Sequence, residues 1–308
     1  MKLFSINGQK LKSLSTNPFG LEKEIQKLIE DNLKELFNLE FVKSEFSIKN
    51  FRIDTLAYNP ETQSFVVIEY KKDRNFSVID QGYTYLSIML NNKSDFILEY
   101  NETKNDLLKR EDVDWSQSRV IFVSTNYTEY QKQSVNFKDV PFELWEIKRF
   151  ENDILGMIQH KNNSDESITI TTNNPENIVS KVSTEIKVWN EEYHLNSSRS
   201  RPEWVNELYF ELRDRILGLG EIELRPNARF VSFRYKEPIV DIVFHNGGLY
   251  TILNMKEGTL NDPNNLMKTY DGKSHWGSGD YYITIDRNTD LDYMMFLIKQ
   301  SYENQKSK

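Results

Sequence analysis

Hydrophobic positions along the chain fall into two patterned blocks separated by a polar stretch. In the first block Ile25, Leu28, Ile29, Leu33, Leu36 and Phe37 lie on one arc at about 100° per residue, which predicts an amphipathic helix over Leu21 to Phe37. Glu22 projects into that arc, whereas Glu24 points away and Glu30 lies at its edge. A carboxylate on the core-facing side of a helix is costly unless something uses it. Phe51 to Tyr58 (FRIDTLAY) and Ser64 to Lys71 (SFVVIEYK) predict two strands joined through the turn-prone Asn59-Pro60. The second is almost unbroken in apolar character until Glu69, as in a central strand covered on both faces. A helix from about Ser77 to Asn91 follows, with Ser77 and Asp80 as a capping pair. Further strands are expected at Phe96 to Tyr100, Val120 to Ser124 and Phe142 to Ile147. The order α-β-β-α-β-β implies a mixed sheet with helices packed on it.

Residues 161–178 (KNNSDESITITTNNPENI) are rich in Asn, Ser, Thr and Asp and read as a linker. The expected division is a first domain over 1–158, a linker over 159–182 and an α+β domain over 183–308. In the second block Ser200 to Leu217 predicts a helix, with Pro202 in its first turn and Ser200 and Glu203 as a capping box. Strands follow at Arg229 to Tyr235, Ile239 to His245, Leu249 to Met255 and Tyr281 to Ile285, with Asn246-Gly247-Gly248 as a hairpin turn. Leu291 to Tyr302 closes the block as an amphipathic helix started by Thr289 and Asp292.

Composition narrows the function classes. The 308 residues are 38% apolar and 28% charged, which describes a globular chain, and no apolar run approaches the roughly 18 residues of a membrane span. The N-terminus lacks the continuous apolar stretch of a secretory signal, and cysteine is absent, which excludes disulfides and thiolate metal sites. A cytoplasmic location is expected. The net charge of −8 argues against a tight passive DNA binder, although divalent cations at a carboxylate site reverse the local field.

Asp54 lies inside an apolar strand, and Glu69 and Lys71 lie two apart at the exit of the next one. Side chains at i and i+2 of a strand share a face, so Glu69 and Lys71 point together while Tyr70 turns away. If the two strands pair as a hairpin, Asp54 approaches Glu69 across the ladder. Two carboxylates so placed repel one another unless a cation sits between them, and oxygen ligands favour Mg²⁺ or Mn²⁺. Gln81 and Tyr85, one turn apart on the following helix, are placed to reach back to the cluster.

The arrangement Asp54, Glu69-Tyr70-Lys71, Gln81 and Tyr85 resembles the D…ExK…QxxxY pattern of RecB-like PD-(D/E)XK nucleases. The wider stretch LEKEIQKLIEDNL, FRIDTLAY and VIEYKKDRN resembles a prokaryotic subgroup whose folds are like those of restriction and tRNA-splicing endonucleases. The resemblance covers about residues 19 to 150. It implies a restriction-endonuclease-like α/β domain that hydrolyses nucleic acid, DNA in preference to RNA, with Mg²⁺ or Mn²⁺ as cofactor. It further implies that Asp54, Glu69 and the Tyr70 carbonyl hold the metal, that Lys71 is catalytic, that Glu22 is the helix-one acid and that Gln81 supports them. The proline of the family name is absent, because Ile53 precedes Asp54.

The second block resembles a small α+β domain of unknown function found behind such nuclease modules, through Asp262-Pro263, His275-Trp276-Gly277 and Gly279-Asp280-Tyr281. This arrangement is sometimes labelled a predicted transport protein, which the lack of any membrane-length apolar run contradicts. His275 and Trp276 either stack on a base or merely plug a core and cap a turn, and Arg199 and Arg201 either contact phosphate or are solvated. His160, His194 and His245 show no metal-ligand spacing. Two alternatives stay open for the first block: an inactive nuclease-fold module that binds nucleic acid or a protein partner, and a strand-edge ion-pair cluster without chemistry.

Overall fold

The computed structural model describes residues 1–72, 77–162, 164–168, 177–270 and 277–307. Two compact units divide the chain, Met1–Val188 and Trp189–Lys308.

The first unit opens with a hairpin, β1 (Phe4–Asn7) and β2 (Lys10–Ser13). Helices α1 (Glu22–Glu30) and α2 (Leu33–Phe37) follow. They replace the single expected helix, because the Asn32 side chain donates to the Leu28 carbonyl at 2.8 Å and the backbone leaves helical geometry there. Among the described residues, six strands form one mixed sheet in sequence order: β3 (Glu40–Ile48), β4 (Phe51–Asn59), β5 (Ser64–Lys71), β6 (Arg119–Ser124), β7 (Phe142–Arg149) and β8 (Leu155–His160). The β3–β4, β4–β5 and β7–β8 pairs are antiparallel, whereas β5–β6 and β6–β7 are parallel. The β4–β5 turn is closed by Asn59 Oδ1, which accepts from the amides of Glu61 and Thr62.

Helices α3 (Val78–Asn91) and α4 (Lys93–Lys104) cover one face of this sheet, with α1 and α2 on the other. Ser77 caps α3 through the Asp80 amide, as its sequence predicts. Gly82 lets α3 settle on β7, since a Cβ there would lie 2.5 Å from the Phe142 ring. The expected strand at Phe96–Tyr100 is part of α4 instead. Phe96, Ile97 and Tyr100 are buried at helical spacing while Leu98 is exposed, and Phe96 packs edge-on against Phe46 of β3. Helix α5 (Glu129–Ser134) follows β6. Helix α6 (Ile178–Glu185) falls largely within the expected linker, yet Val179 and Val182 sit in the first unit's core. Burying such a side chain contributes roughly 1.5–3 kcal/mol, enough to hold the segment to the first unit and move the boundary to 188.

The second unit begins with α7 (Glu191–Asn196) and α8 (Glu203–Leu217). The cap of α8 is Pro202 with no side-chain hydrogen bond, so the expected Ser200–Glu203 box does not form. An antiparallel sheet follows in the order β13 (Lys268–Thr269), β14 (Tyr281–Ile285), β12 (Gly248–Leu253), β11 (Pro238–His245), β10 (Val231–Arg234) and β9 (Glu223–Pro226). The predicted hairpin is present, with His245 paired to Gly248. Helix α9 (Leu291–Lys306) closes the unit and is capped by Asp290 rather than Thr289. Its buried face shares a core with α8 and with β10, β11, β12 and β14. Among the described residues, no helix is long and apolar enough to cross a membrane.

Candidate functional site

The β4–β5 ladder runs to the Thr55–Ile68 pair, and one position beyond it Asp54 faces Glu69. The Tyr70 amide is taken there by the Asp54 carboxyl, which accepts from it at 3.1 Å. A side chain thus stands in for a backbone partner where the ladder ends, and the amide stays satisfied. Glu69 and Lys71 project on the α3 side of β5. Lys71 Nζ lies 2.6 Å from Glu69 Oε1, and Gln81 Nε2 of α3 donates to the same oxygen at 2.7 Å. Gln81 also donates to the Tyr85 hydroxyl at 3.0 Å. Glu22 at the start of α1 reaches the far end of β5, where its carboxylate accepts from the Lys72 amide at 2.8 Å. The sheet and its two flanking helices therefore gather Asp54, Glu69, Lys71, Gln81 and Glu22 around one strand end. Glu22 arrives from an exposed position rather than from inside the core.

The electrostatics of this end are unbalanced. Glu69 is 2% exposed, and its Oε2 is buried with no hydrogen-bond partner among the described residues. Burial, followed by the negative charge of Glu69, pushes the Asp54 carboxyl up to about 7, against the pull of the Tyr70 amide and Lys71. Burial draws the Lys71 ammonium down, but the Glu69 hydrogen bond and the charges of Glu69, Asp54 and Glu22 outweigh it and raise the group above its ordinary value. A buried carboxylate oxygen without a donor, beside a carboxyl reluctant to ionise, fits a cation as the missing partner. The donor set is hard oxygen, which suits Mg²⁺ or Mn²⁺. Among the described residues no cluster of three or more His, Cys, Asp or Glu side chains is arranged to hold a metal, so two carboxylates are what the side chains supply. Mg²⁺ is commonly bound by one or two carboxylates, with water and phosphate completing the shell.

A network on the α1 side of the strands escaped sequence reasoning. Gln26 is buried, and its Nε2 donates to the Asp54 carbonyl at 2.8 Å, to Glu30 Oε1 at 2.9 Å and to Ser44 Oγ at 3.0 Å. Thr55 donates to Glu30, and its oxygen lies 3.1 Å from the Tyr70 hydroxyl. Helix α1 thus grips the backbone of Asp54 and the side chain of Tyr70 from behind. The sequence hint was Gln26 one turn before Glu30 on a helix whose other inward positions are apolar.

In the second unit, the polar groups noted in the sequence serve the fold. His194 is buried, with Nε2 2.8 Å from the Asn227 carbonyl. Arg201 donates to the carbonyls of His194 and Leu195 and stacks over Phe244, while Arg199 is exposed. Asp262 accepts from the Tyr293 hydroxyl at 2.6 Å and the Met267 amide at 2.8 Å. Gly279 lies where a Cβ would meet the Leu253 carbonyl at 2.0 Å. His275 and Trp276 lie outside the described residues. His245 is exposed, and His160 belongs to the first unit.

Comparison with known proteins gives three findings. Residues 196–305 match a family model described as a domain of unknown function, DUF5655. An uncharacterised protein of Haemophilus influenzae is 45% identical over 306 residues, spanning 99% of this chain and 100% of that one. Two solved structures share 18% identity: an EndoMS–dsDNA complex, with TM-score 0.28 over 42% of this chain and 44% of that one, and a repair endonuclease from Pyrococcus abyssi, with TM-score 0.23 over 39% and 45%. The chain spans less than half the length of either.

Proposed function

The chain belongs to one family with the Haemophilus influenzae protein, and we propose that its first unit is a metal-dependent nuclease of the PD-(D/E)XK type, hydrolysing phosphodiester bonds of DNA. The observation that carries this reading is the buried Glu69 Oε2, without a hydrogen-bond partner among the described residues, beside Asp54 and Lys71. Asp54, Glu69 and the Tyr70 carbonyl are the groups that would hold Mg²⁺ or Mn²⁺. A divalent ion in such a site polarises the phosphate and lowers the pKa of water. The chain's own residues supply the rest. Lys71, charged and held by Glu69, faces the attacked phosphate and offsets the charge that develops on its oxygens. Gln81 fixes the Glu69 carboxylate so that its second oxygen stays free for the ion. Glu22 holds the strand end through the Lys72 amide and lies close enough to raise Lys71.

The test is cleavage of labelled single- and double-stranded DNA and RNA with Mg²⁺ or Mn²⁺, comparing wild type with Asp54→Ala. Equal behaviour of the two proteins on every substrate and metal removes the enzyme reading. A second reading, an inactive nuclease-fold module that binds nucleic acid, draws support from the lack, among the described residues, of any group of three or more His, Cys, Asp or Glu side chains placed to hold a metal. It requires DNA binding that neither metal nor Glu69→Ala alters.

A further inference from the structure

Away from the Asp54–Glu69 centre, the same face of the sheet carries a second charged group. Lys71, Ser124 and Glu146 are neighbours in register across the parallel strands β5, β6 and β7. Glu146 is buried, with Oε1 2.5 Å from Lys148 Nζ and Oε2 3.1 Å from His160 Nε2. Burial alone would push this carboxyl up, yet its hydrogen bonds with Lys148 and His160 hold it below the usual carboxylate range. The His160 ring also packs edge-on to Tyr127, with centroids 5.8 Å apart. A buried carboxylate behind one ring nitrogen fixes the orientation of the imidazole.

The His160 ring so held lines an open recess of about 310 Å³ between α5 and β8. Lys132 and Lys161 line it too, with the carboxamides of Gln133, Asn136 and Asn162. Glu129 is the acid among the lining residues and pairs with Lys132 at 2.8 Å. That ion pair is largely exposed on the glutamate side, so it is worth little and yields readily to a competing anion. In a chain of net charge −8, a recess furnished with two lysines, an oriented histidine and several amides stands out from the overall field.

We infer that this recess binds a phosphodiester group of the DNA strand occupying the Asp54–Glu69 centre, through Lys132, Lys161 and His160; the inference rests on the nuclease reading above. Lysine and imidazole N–H donors beside amide groups match the anionic oxygens of a phosphodiester. The register sets the distance. Glu69, Phe122, Leu144 and His160 lie level across four successive strands, and three strand spacings make about 14 Å. The recess therefore meets a phosphate flanking the scissile one and not the reacting group, so it contributes affinity and register.

The experiment measures binding of a fluorescently labelled duplex oligonucleotide to the full chain by anisotropy, with EDTA present, across a salt series. Lys132→Ala/Lys161→Ala is expected to weaken binding about tenfold or more and to flatten the plot of log affinity against log salt by roughly two, about one per lysine. His160→Ala is expected to weaken binding several-fold. Lys12→Ala/Lys109→Ala, which removes the same charge from exposed positions elsewhere in the unit, is expected to match wild type. Wild-type affinity and slope in the recess variants, or an equal loss in the Lys12/Lys109 control, overturns the inference. Cleavage assays separate it from the reading beneath it. Active wild type with unchanged binding in the recess variants removes the recess alone. Inactive wild type whose binding still depends on the recess removes the nuclease alone.

Discussion

Both units bury polar side chains against a sheet, but they use them differently. In the second unit the buried groups near the end of α9 are consumed by backbone. Ser301 donates to the carbonyls of Ile239 and Asn254, and Gln305 joins the Pro238 carbonyl to the Glu237 amide. These contacts staple α9 to the start of β11 and leave little for a ligand. In the first unit, Glu69 keeps a buried oxygen without a donor among the described residues, and the Asp54 carboxyl is pushed up to about 7 by burial and by its neighbour's charge. A satisfied buried polar group is explained by folding, whereas an unsatisfied one needs another cause. What sets Glu69 apart is that its unpaired oxygen, among the described residues, belongs to a carboxylate beside a second carboxyl, Asp54, and an ammonium, Lys71.

The contrast can be broken most directly at the carboxylates. Asp54→Ala and Glu69→Ala are each expected to lower cleavage by at least about 10³-fold, the scale of losing a principal electrostatic stabiliser, with folding intact by circular dichroism. Loss of the fold along with the activity would erase the difference between the units. Gln81→Ala should cost about 10- to 100-fold in metal affinity or turnover, since it leaves the ligand present but unheld. Isothermal titration with Mn²⁺ reads this effect separately from cleavage. In the second unit, Gln305→Ala should destabilise by about 0.5–1.5 kcal/mol in urea melts, because the Pro238 carbonyl loses one donor and keeps Asn254, and should leave cleavage unchanged.

The smallest effect is a pH dependence. The folded Asp54 carboxyl titrates at about 7, above its ordinary 3.8, so the folded chain binds this proton more tightly than the unfolded chain does. The associated stability is complete below about pH 4 and is lost as pH rises through about 7. Metal-free protein should therefore show a melting temperature that falls across this window by more than in Asp54→Asn, and Mg²⁺ should reduce the fall. Identical pH profiles for wild type and Asp54→Asn would mean that Asp54 is not strained.

Much of this was legible locally. The β4 and β5 strands, helix α3 with its Ser77 cap and the spacing of Asp54, Glu69, Lys71 and Gln81 are short-range patterns, and the structure contains those elements within a residue or two at either end. Strand β3 was illegible because a bulge between Phe41 and Lys43 breaks its alternation. Helix α4 was misread because a run of apolar residues as short as Phe96–Tyr100 fits either period. Helix α6 hid in polar composition, and only its packing revealed Val179 and Val182 as core.

By itself, then, the chain's residue order determined which side chains stand at the end of β5 and which helix follows to face them, because strand alternation and helical periodicity act over a few residues. Tertiary structure decided the rest: the grip of Gln26 on the Asp54 carbonyl, the alignment of Lys71 with Glu146 through Ser124, and the oxygen of Glu69 left without a donor among the described residues. Each of these depends on segments brought together by burial across tens of residues. Burial is also what makes their charges matter, since the same carboxylates in water would be screened and indifferent to one another.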